Sequence, residues 1–314
     1  MNDRLYSDPQ AMRQAITDRL RRRQREIPGS QLSDLQRQFA YDRLLSRLFT
    51  VQRERWVLKG ATALLARLGG RARHSLDIDL YSNTGDLDEA EGALNEAAGV
   101  DLGDQFRFTL RPGRAMLQGA NARRIRVDAY LGANLFASFH VDLVTSVELR
   151  GRPEEVPPLV PIDLPGIVRP TYLAWPMVDH IADKVCAFIE RHPRQDAIDV
   201  ASTRYRDLAD LALLARNVSI EAGRLGAALG SETKRRGLRL PDRFPDPEGE
   251  GWTVGYARIA RDTADLREKD LAAALSTVRR FIDPILSSTA VGSWEPDSLR
   301  WVNRPNGGEA SATG

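Results

Sequence analysis

Residues 57–82, "VLKGATALLARLGGRARHSLDIDLYS", hold the features on which the fold turns. The run opens on Lys-Gly, passes through an Ala/Leu-rich stretch of helical character, and ends on "SLDIDLY". In that last segment polar and apolar residues alternate with a period of two, which predicts a strand over 75–81. Ser75, Asp77 and Asp79 then share one face, while Leu76, Ile78 and Leu80 share the other. Two carboxylates about 7 Å apart along a strand and projecting the same way are able to share a hard cation. A solvated outer strand would carry the same pattern, so its surroundings decide the reading.

Upstream, residues 10–26 and 31–55 read as helices separated by "PGS", and "WVLKG" as a short strand or turn. Downstream, 86–99 reads as a helix and 105–111, 123–131 and 136–145 as three more strands. Helices interspersed with strands in this order predict an α/β or α+β domain around a mixed sheet. The last of these strands contains "FHVDLV", where Asp142 stands between Val141 and Leu143. A lone charge in so apolar a run needs a partner or a metal. Asp142 therefore competes with Asp128 of "IRVDAYL" to be the third carboxylate of a two-metal site, and its more uniformly apolar flanks favour it.

Six prolines follow within 151–170, "GRPEEVPPLVPIDLPGIVRP", which excludes a helix interior and predicts an extended connection between domains. Beyond it, 177–192, 205–216, 219–237 and 263–285 read as helices. The expected organisation is a first domain over 1–160, a helical domain over 171–302 and a disordered tail over 303–314. Trp252, Trp294 and Trp301 are expected to pack the C-terminal region rather than to stack bases.

At 314 residues and 42% hydrophobic content, the chain suits two soluble domains with real cores. No window approaches the roughly 18 apolar residues of a membrane helix, and "MNDRLYSDPQ" lacks the features of a secretory signal. A single cysteine, Cys186, excludes an intramolecular disulfide and a cysteine-built zinc site, so a cytoplasmic setting is expected. Only four of 45 basic residues are lysines: Lys59, Lys184, Lys234 and Lys269. Residues 1–60 carry 13 Arg or Lys against 7 Asp or Glu, peaking at "RLRRRQRE". Such a surface is a solvated helix face or a place for a nucleic-acid backbone. The histidines His74, His140, His180 and His192 have no metal-ligand spacing, and no serine has a supporting His–acid motif for acyl transfer.

Taken together, "LKGATALL" and "RHSLDIDL" resemble the signature of the polymerase-β-like nucleotidyltransferase superfamily: a Gly-started helix, a D-x-D strand and a later isolated carboxylate strand. More narrowly they resemble the AbiEii/AbiGii-type toxins, including the MenT-type toxins of mycobacteria. That family opens on L-K-G-G-T-A-L followed by R-x-S-x-D-x-D. The first part is met from Leu58 to Leu64, with Ala61 where a second glycine is usual; the second is met at Arg73, Ser75, Asp77 and Asp79. "DKVCAFIER" resembles the family's K-x6-R helix through Lys184 and Arg191, and "RYRDLADL" its R-D-x-x-D element through Arg206, Asp207 and Asp210.

The resemblance implies an α+β nucleotidyltransferase domain with a mixed sheet, followed by an α-helical domain. It implies a Mg²⁺-dependent enzyme, with up to two ions, that moves an NMP from an NTP to a hydroxyl and releases pyrophosphate. Asp77, Asp79 and Asp142 would hold the metal, with Lys184 and Asp207 completing the catalytic set. Lys59, Gly60, Ala61, Thr62, Ser75, Lys184, Arg191 and Asp210 would meet the nucleotide, at Ala61 through the backbone N–H alone. Asp207 or Asp210 would orient Lys184. The resemblance further implies a toxin of a toxin–antitoxin or abortive-infection system. Its favoured acceptor is a tRNA 3′ end, which blocks translation, and its antitoxin is encoded separately. Nucleotidylation of a protein or small molecule is the alternative within the same chemistry. A non-catalytic RNA- or partner-binding protein on a degenerate transferase fold is the alternative outside it.

Overall fold

The computed structural model describes residues 8–27, 29–116, 121–146, 149–190, 192–193, 199–200, 204–248 and 250–303, with only the backbone at 192–193 and 199–200. Two compact units divide the chain, Met1–Trp175 and Pro176–Gly314.

The first unit begins with α1 (Pro9–Glu26), whose first turn is fixed by Asp8 accepting from the Gln10 N–H and by Pro9, which lacks the N–H a helix start leaves unpaired. There follow α2 (Leu32–Val51), β1 (Trp56–Leu58), α3 (Gly60–Leu68), β2 (Asp77–Ser82) and α4 (Leu87–Ala98). Asp86 caps α4 by accepting from the Glu89 N–H at 2.8 Å. Strands β3 (Phe106–Leu110), β4 (Arg114–Ala115), β5 (Ala122–Leu131), β6 (Asn134–Val144), β7 (Glu154–Val156) and β8 (Tyr172–Ala174) complete the unit. Among the described residues they form an eight-stranded mixed sheet in the order β3-β5-β6-β2-β1-β8-β7, with β4 alongside β5. The β2–β6 and β1–β8 pairs are parallel, whereas β1–β2, β5–β6, β3–β5 and β7–β8 are antiparallel. The α+β architecture with a mixed sheet is the one expected.

The segment read as a plain connection over 151–170 is part of the sheet, since β7 lies within it. Its prolines are compatible with that because none lies within the three residues of β7: Pro153 precedes it and Pro157 follows it. Helix α2 packs on one sheet face, with the Tyr41 ring 4.7 Å from Phe139 and Phe39 6.0 Å from Phe106. Two charges are sunk into that layer and paired there: Arg47 grips Asp104 at 2.7 and 3.0 Å, both fully buried. Asp42, also buried, accepts the N–H groups of Leu159 and Val160 at 2.8 Å each and the Tyr172 hydroxyl at 2.8 Å. Burial pushes its carboxyl up to about 6, against those N–H bonds, which favour the charged form.

The second unit comprises α5 (Met177–Ile189), the short antiparallel pair β9 (His192–Pro193) and β10 (Asp199–Val200), α6 (Tyr205–Asn217), α7 (Ala222–Arg236), α8 (Trp252–Arg261), α9 (Leu271–Leu286) and the hairpin β11 (Ser293–Glu295) with β12 (Arg300–Val302). Trp294 is buried and donates to the Ala215 carbonyl at 2.7 Å, while Trp301 stacks on Phe281, so these tryptophans pack the unit. Helix α8 has no counterpart among the sequence-read helices; its buried residues Trp252, Tyr256 and Ala260 recur every fourth position. The helix expected from 263 starts only at Leu271, because Asp270 caps it by accepting from the Ala273 N–H. Of the expected tail, residues 304–314 lie outside the described residues, as does Arg191.

Candidate active site

Parallel pairing of β2 with β6 sets Asp79 opposite Asp142 and Asp77 opposite His140. On the other side of β6, antiparallel β5 sets Arg124 opposite Asp142 and Arg126 opposite His140. Directly paired residues project to the same side of a sheet, so Asp77, Asp79, His140, Asp142, Arg124 and Arg126 share one face. The intervening Ile78, Leu80, Val141, Leu143, Ile125 and Val127 are buried on the other face. The alternation of the sequence is thus the alternation of core against site. Asp128 is further along β5, opposite Ser138. There it accepts the Ser138 hydroxyl at 2.5 Å, a bond that holds its carboxyl below the usual range, and it lies 3.4 Å from Arg126. The carboxylate that stands beside Asp79 is therefore Asp142.

The start of α3 is built around Asp79. Gly60 has φ +54°, and a Cβ placed on it would meet the Asp79 Oδ2 at 2.2 Å. That approach brings the carboxylate to the unpaired N–H groups of the helix start, where it accepts from Ala61 at 3.2 Å. The Ala61 N–H, expected to face a phosphate, thus donates to Asp79 instead. Backbone bonds fix the turn: the Lys59 N–H donates to the Asp79 carbonyl at 3.0 Å. Thr62 ties helix to strand, its hydroxyl donating to the Asp77 carbonyl at 3.0 Å and lying 3.3 Å from the Asp79 N–H donor. Ser75 donates to the same Asp77 carbonyl at 2.7 Å. Both hydroxyls thus act on the strand that carries the carboxylates. The Lys59 ammonium sits over the Trp175 ring, 4.5 Å from its centroid.

A cation already lies on the carboxylates. Arg124 donates to Asp142 in a two-pronged bond, Nε to Oδ1 and Nη2 to Oδ2, each 2.7 Å, and Nη2 also reaches Asp77 Oδ2 at 3.2 Å. The hydrogen bonds to Asp142 push the guanidinium's pKa further up. His140 Nδ1 is 3.4 Å from the other oxygen of Asp77. Among the described residues no group of three or more His, Cys, Asp or Glu forms a ready-made metal cage. Two of the three carboxylates are turned to Arg124 instead. An oxygen-only set is nonetheless what a hard divalent cation takes, and the seated guanidinium marks this as a place for positive charge. By the chemistry of its donors, the set of Asp77, Asp79 and Asp142 suits such a cation.

In the second unit, Lys184 is buried on α5 and donates to Asp207 at 3.0 Å and to Asp210 at 2.6 Å, both on α6. Both candidate carboxylates hold this lysine, so the choice between them dissolves. The arginine paired with Asp207 is Arg204, at 3.2 Å. Sequence reading passed over Arg124 and Arg204. Arg124 shares the strand parity of Asp128, yet its partner Asp142 is found only through the β5–β6 register.

No curated protein matches the chain. Among solved structures it is similar to MenT4, a nucleotidyltransferase toxin from Mycobacterium tuberculosis H37Rv, with 22% sequence identity, a TM-score of 0.49, and coverage of 82% of this chain and 94% of that one. The family model described as nucleotidyl transferase AbiEii toxin, Type IV toxin–antitoxin system, matches residues 43–288, a span that takes in Gly60, the Asp77/Asp79 strand, Asp142, Lys184 and Asp210. The chain belongs to this AbiEii family and is a nucleotidyltransferase of the toxin–antitoxin type.

Proposed function

We propose that this protein transfers an NMP from an NTP to the 3′ end of tRNA, releases pyrophosphate and so blocks translation. The observation that carries the reading is the in-register row of Asp79 and Asp142, with Asp77 on the same face, beside a helix start shaped to receive Asp79. The 3′-terminal hydroxyl oxygen attacks the α-phosphorus, the bond to the bridging oxygen breaks, and pyrophosphate leaves with that electron pair. Asp142 takes the proton of the attacking hydroxyl. Mg²⁺, held by Asp77, Asp79 and Asp142 as one or two ions, would supply charge neutralisation at the phosphates and lower the pKa of the attacking hydroxyl. Thr62 and Ser75 are positioning residues, because their bonds end on the Asp77 carbonyl rather than in open space. Lys59, Gly60 and Ala61 form the turn that the nucleotide approaches.

A share for Lys184 and Arg191 in meeting the triphosphate, with Asp207 and Asp210 orienting the lysine, rests on the family pattern. The exposed arginines of α1, among them Arg21, Arg22 and Arg25, suit an RNA backbone. A separately encoded antitoxin is the partner that a toxin of this family type requires. Incubating the protein with Mg²⁺, total tRNA and each labelled NTP in turn tests the proposal. Label should appear on tRNA and vanish in Asp77→Ala. Label on protein alone, or tRNA labelling that survives Asp77→Ala undiminished, overturns it.

A further inference from the structure

We propose that Arg124 is an internal counter-ion exchanged when the metal–nucleotide complex arrives: the divalent cation replaces it as the counter-ion of Asp142 and Asp77, and the freed guanidinium takes the triphosphate. The inference rests on the proposed function, since it assigns those carboxylates to a metal. Three observations carry it.

First, the atoms coincide. Both oxygens of Asp142 and one of Asp77 accept from Arg124, so two of the three proposed ligands are occupied by the same guanidinium. Bidentate charge-assisted bonds of 2.7 Å are the strong kind, and a bare cation must break both. Second, the arm is free to move although its base is not. The β5 backbone is held on both sides by β3 and β6. The Arg124 side chain, by contrast, is 45% exposed while that of Asp142 is 14% exposed. The guanidinium is the more exposed member of the pair, so it turns toward solvent more readily than Asp142 does. Third, the chemistry of exchange is matched. A guanidinium is always charged and grips phosphate oxygens with the same fork it uses on a carboxylate.

A metal ion alone offers the carboxylates a partner but leaves Arg124 without one. The metal–triphosphate complex satisfies both at once, so metal and nucleotide promote each other's binding. Arg126 provides the contrast. It carries the same charge on the same face but lies against Asp128, 3.4 Å away, rather than Asp142.

The test is Mn²⁺ binding to the full chain, followed by electron paramagnetic resonance. It is run with and without α,β-methylene analogues of the four NTPs, for wild type, Arg124→Gln, Arg126→Gln and Asp77→Asn. Without nucleotide, Arg124→Gln should bind Mn²⁺ about tenfold more tightly than wild type, because no charge-assisted pair has to open. The nucleotide analogue should tighten Mn²⁺ on wild type about tenfold more than on Arg124→Gln, since the variant has no cation to hand over. Arg126→Gln should stay within about twofold of wild type in both conditions, because it leaves the Asp142 pair intact. If Arg124→Gln binds Mn²⁺ no better than wild type, or the analogue helps both equally, while Asp77→Asn loses the ion, the exchange is wrong and the metal site stands. If wild type takes up no Mn²⁺ even with nucleotide, the metal reading falls and this inference with it.

Discussion

Replacing Gly60 by alanine puts a methyl group where the Asp79 carboxylate now lies. The new Cβ would stand 2.2 Å from Oδ2 and 2.5 Å from Cγ, far inside van der Waals contact. Two penalties should separate cleanly. Holding a residue with a Cβ at φ +54° costs about 1–2 kcal/mol whatever surrounds it. Relieving the clash requires Asp79 to swing off the helix start, forfeiting its bond from Ala61 at about 1 kcal/mol and repacking at about 1–2 kcal/mol more. The single variant should therefore lose about 3–5 kcal/mol, whereas an Asp79→Ala background removes the 2.2 and 2.5 Å clashes and leaves the backbone penalty of about 1–2 kcal/mol with a tight 3.0 Å approach to the retained Cβ. Native-state hydrogen exchange of the amides over 56–82 reads the opening free energy of this unit on its own. A coupling of about 2 kcal/mol between the two substitutions is expected. Equal losses in both backgrounds would refute the reasoning and leave Gly60 as a residue chosen for its φ alone.

Asp42→Asn should lower the melting temperature, because two backbone N–H groups arrive on two separate oxygens and an amide accepts on only one; the loss is about 2–3 kcal/mol. With the folded carboxyl pushed up to about 6, the folded chain keeps a proton that the unfolded chain has released. This group's contribution to stability is therefore full below about pH 4 and lost as pH rises through about 6, a slope that urea titrations should find in wild type and not in the variant. Arg47→Met leaves Asp104 buried with Arg43 at 3.5 Å and the Phe106 N–H at 3.0 Å and should cost about 3–5 kcal/mol in chemical denaturation, part of which returns in Arg47→Met/Asp104→Asn. Lys184→Met strips Asp210 of an ammonium 2.6 Å away and should cost about 3 kcal/mol. Lys184→Met/Asp210→Leu should recover the melting temperature and still fail to label tRNA; recovery of both would make the lysine a purely structural one.

The carboxylate strand was legible because its period of two is a local property, and the same holds for Asp142 among Val141 and Leu143. Neighbouring apolar residues had to face the core, which left each aspartate one direction in which to project. Arg124 was not legible. It gains its meaning from a register with Asp142 and a diagonal reach to Asp77, and no local pattern encodes which strand lies beside which. The proline run concealed β7 for a related reason: its three residues lie between Pro153 and Pro157, and only the pairing with the distant β8 makes them a strand. Helix α8 was hidden by Gly255 and the β-branched Thr253 and Val254, weak helix formers whose helix rests on its buried Trp252 and Tyr256. At Lys184 the sequence posed a choice between two aspartates that packing answers with both.

The two-sided character of β2 bears on how such a protein can fail. A slip of one residue in its pairing with β6 would exchange the faces, sending Asp77 and Asp79 toward α2 while Ile78 and Leu80 came out into water. Two buried like charges would oppose that state far more strongly than the loss of a few apolar contacts. Correct assembly of the sheet and assembly of the proposed reaction centre are therefore one event. On the proposed function this has a practical meaning: a chain mispaired at this strand would carry no assembled site, and activity would report the population of a single, correctly paired structure.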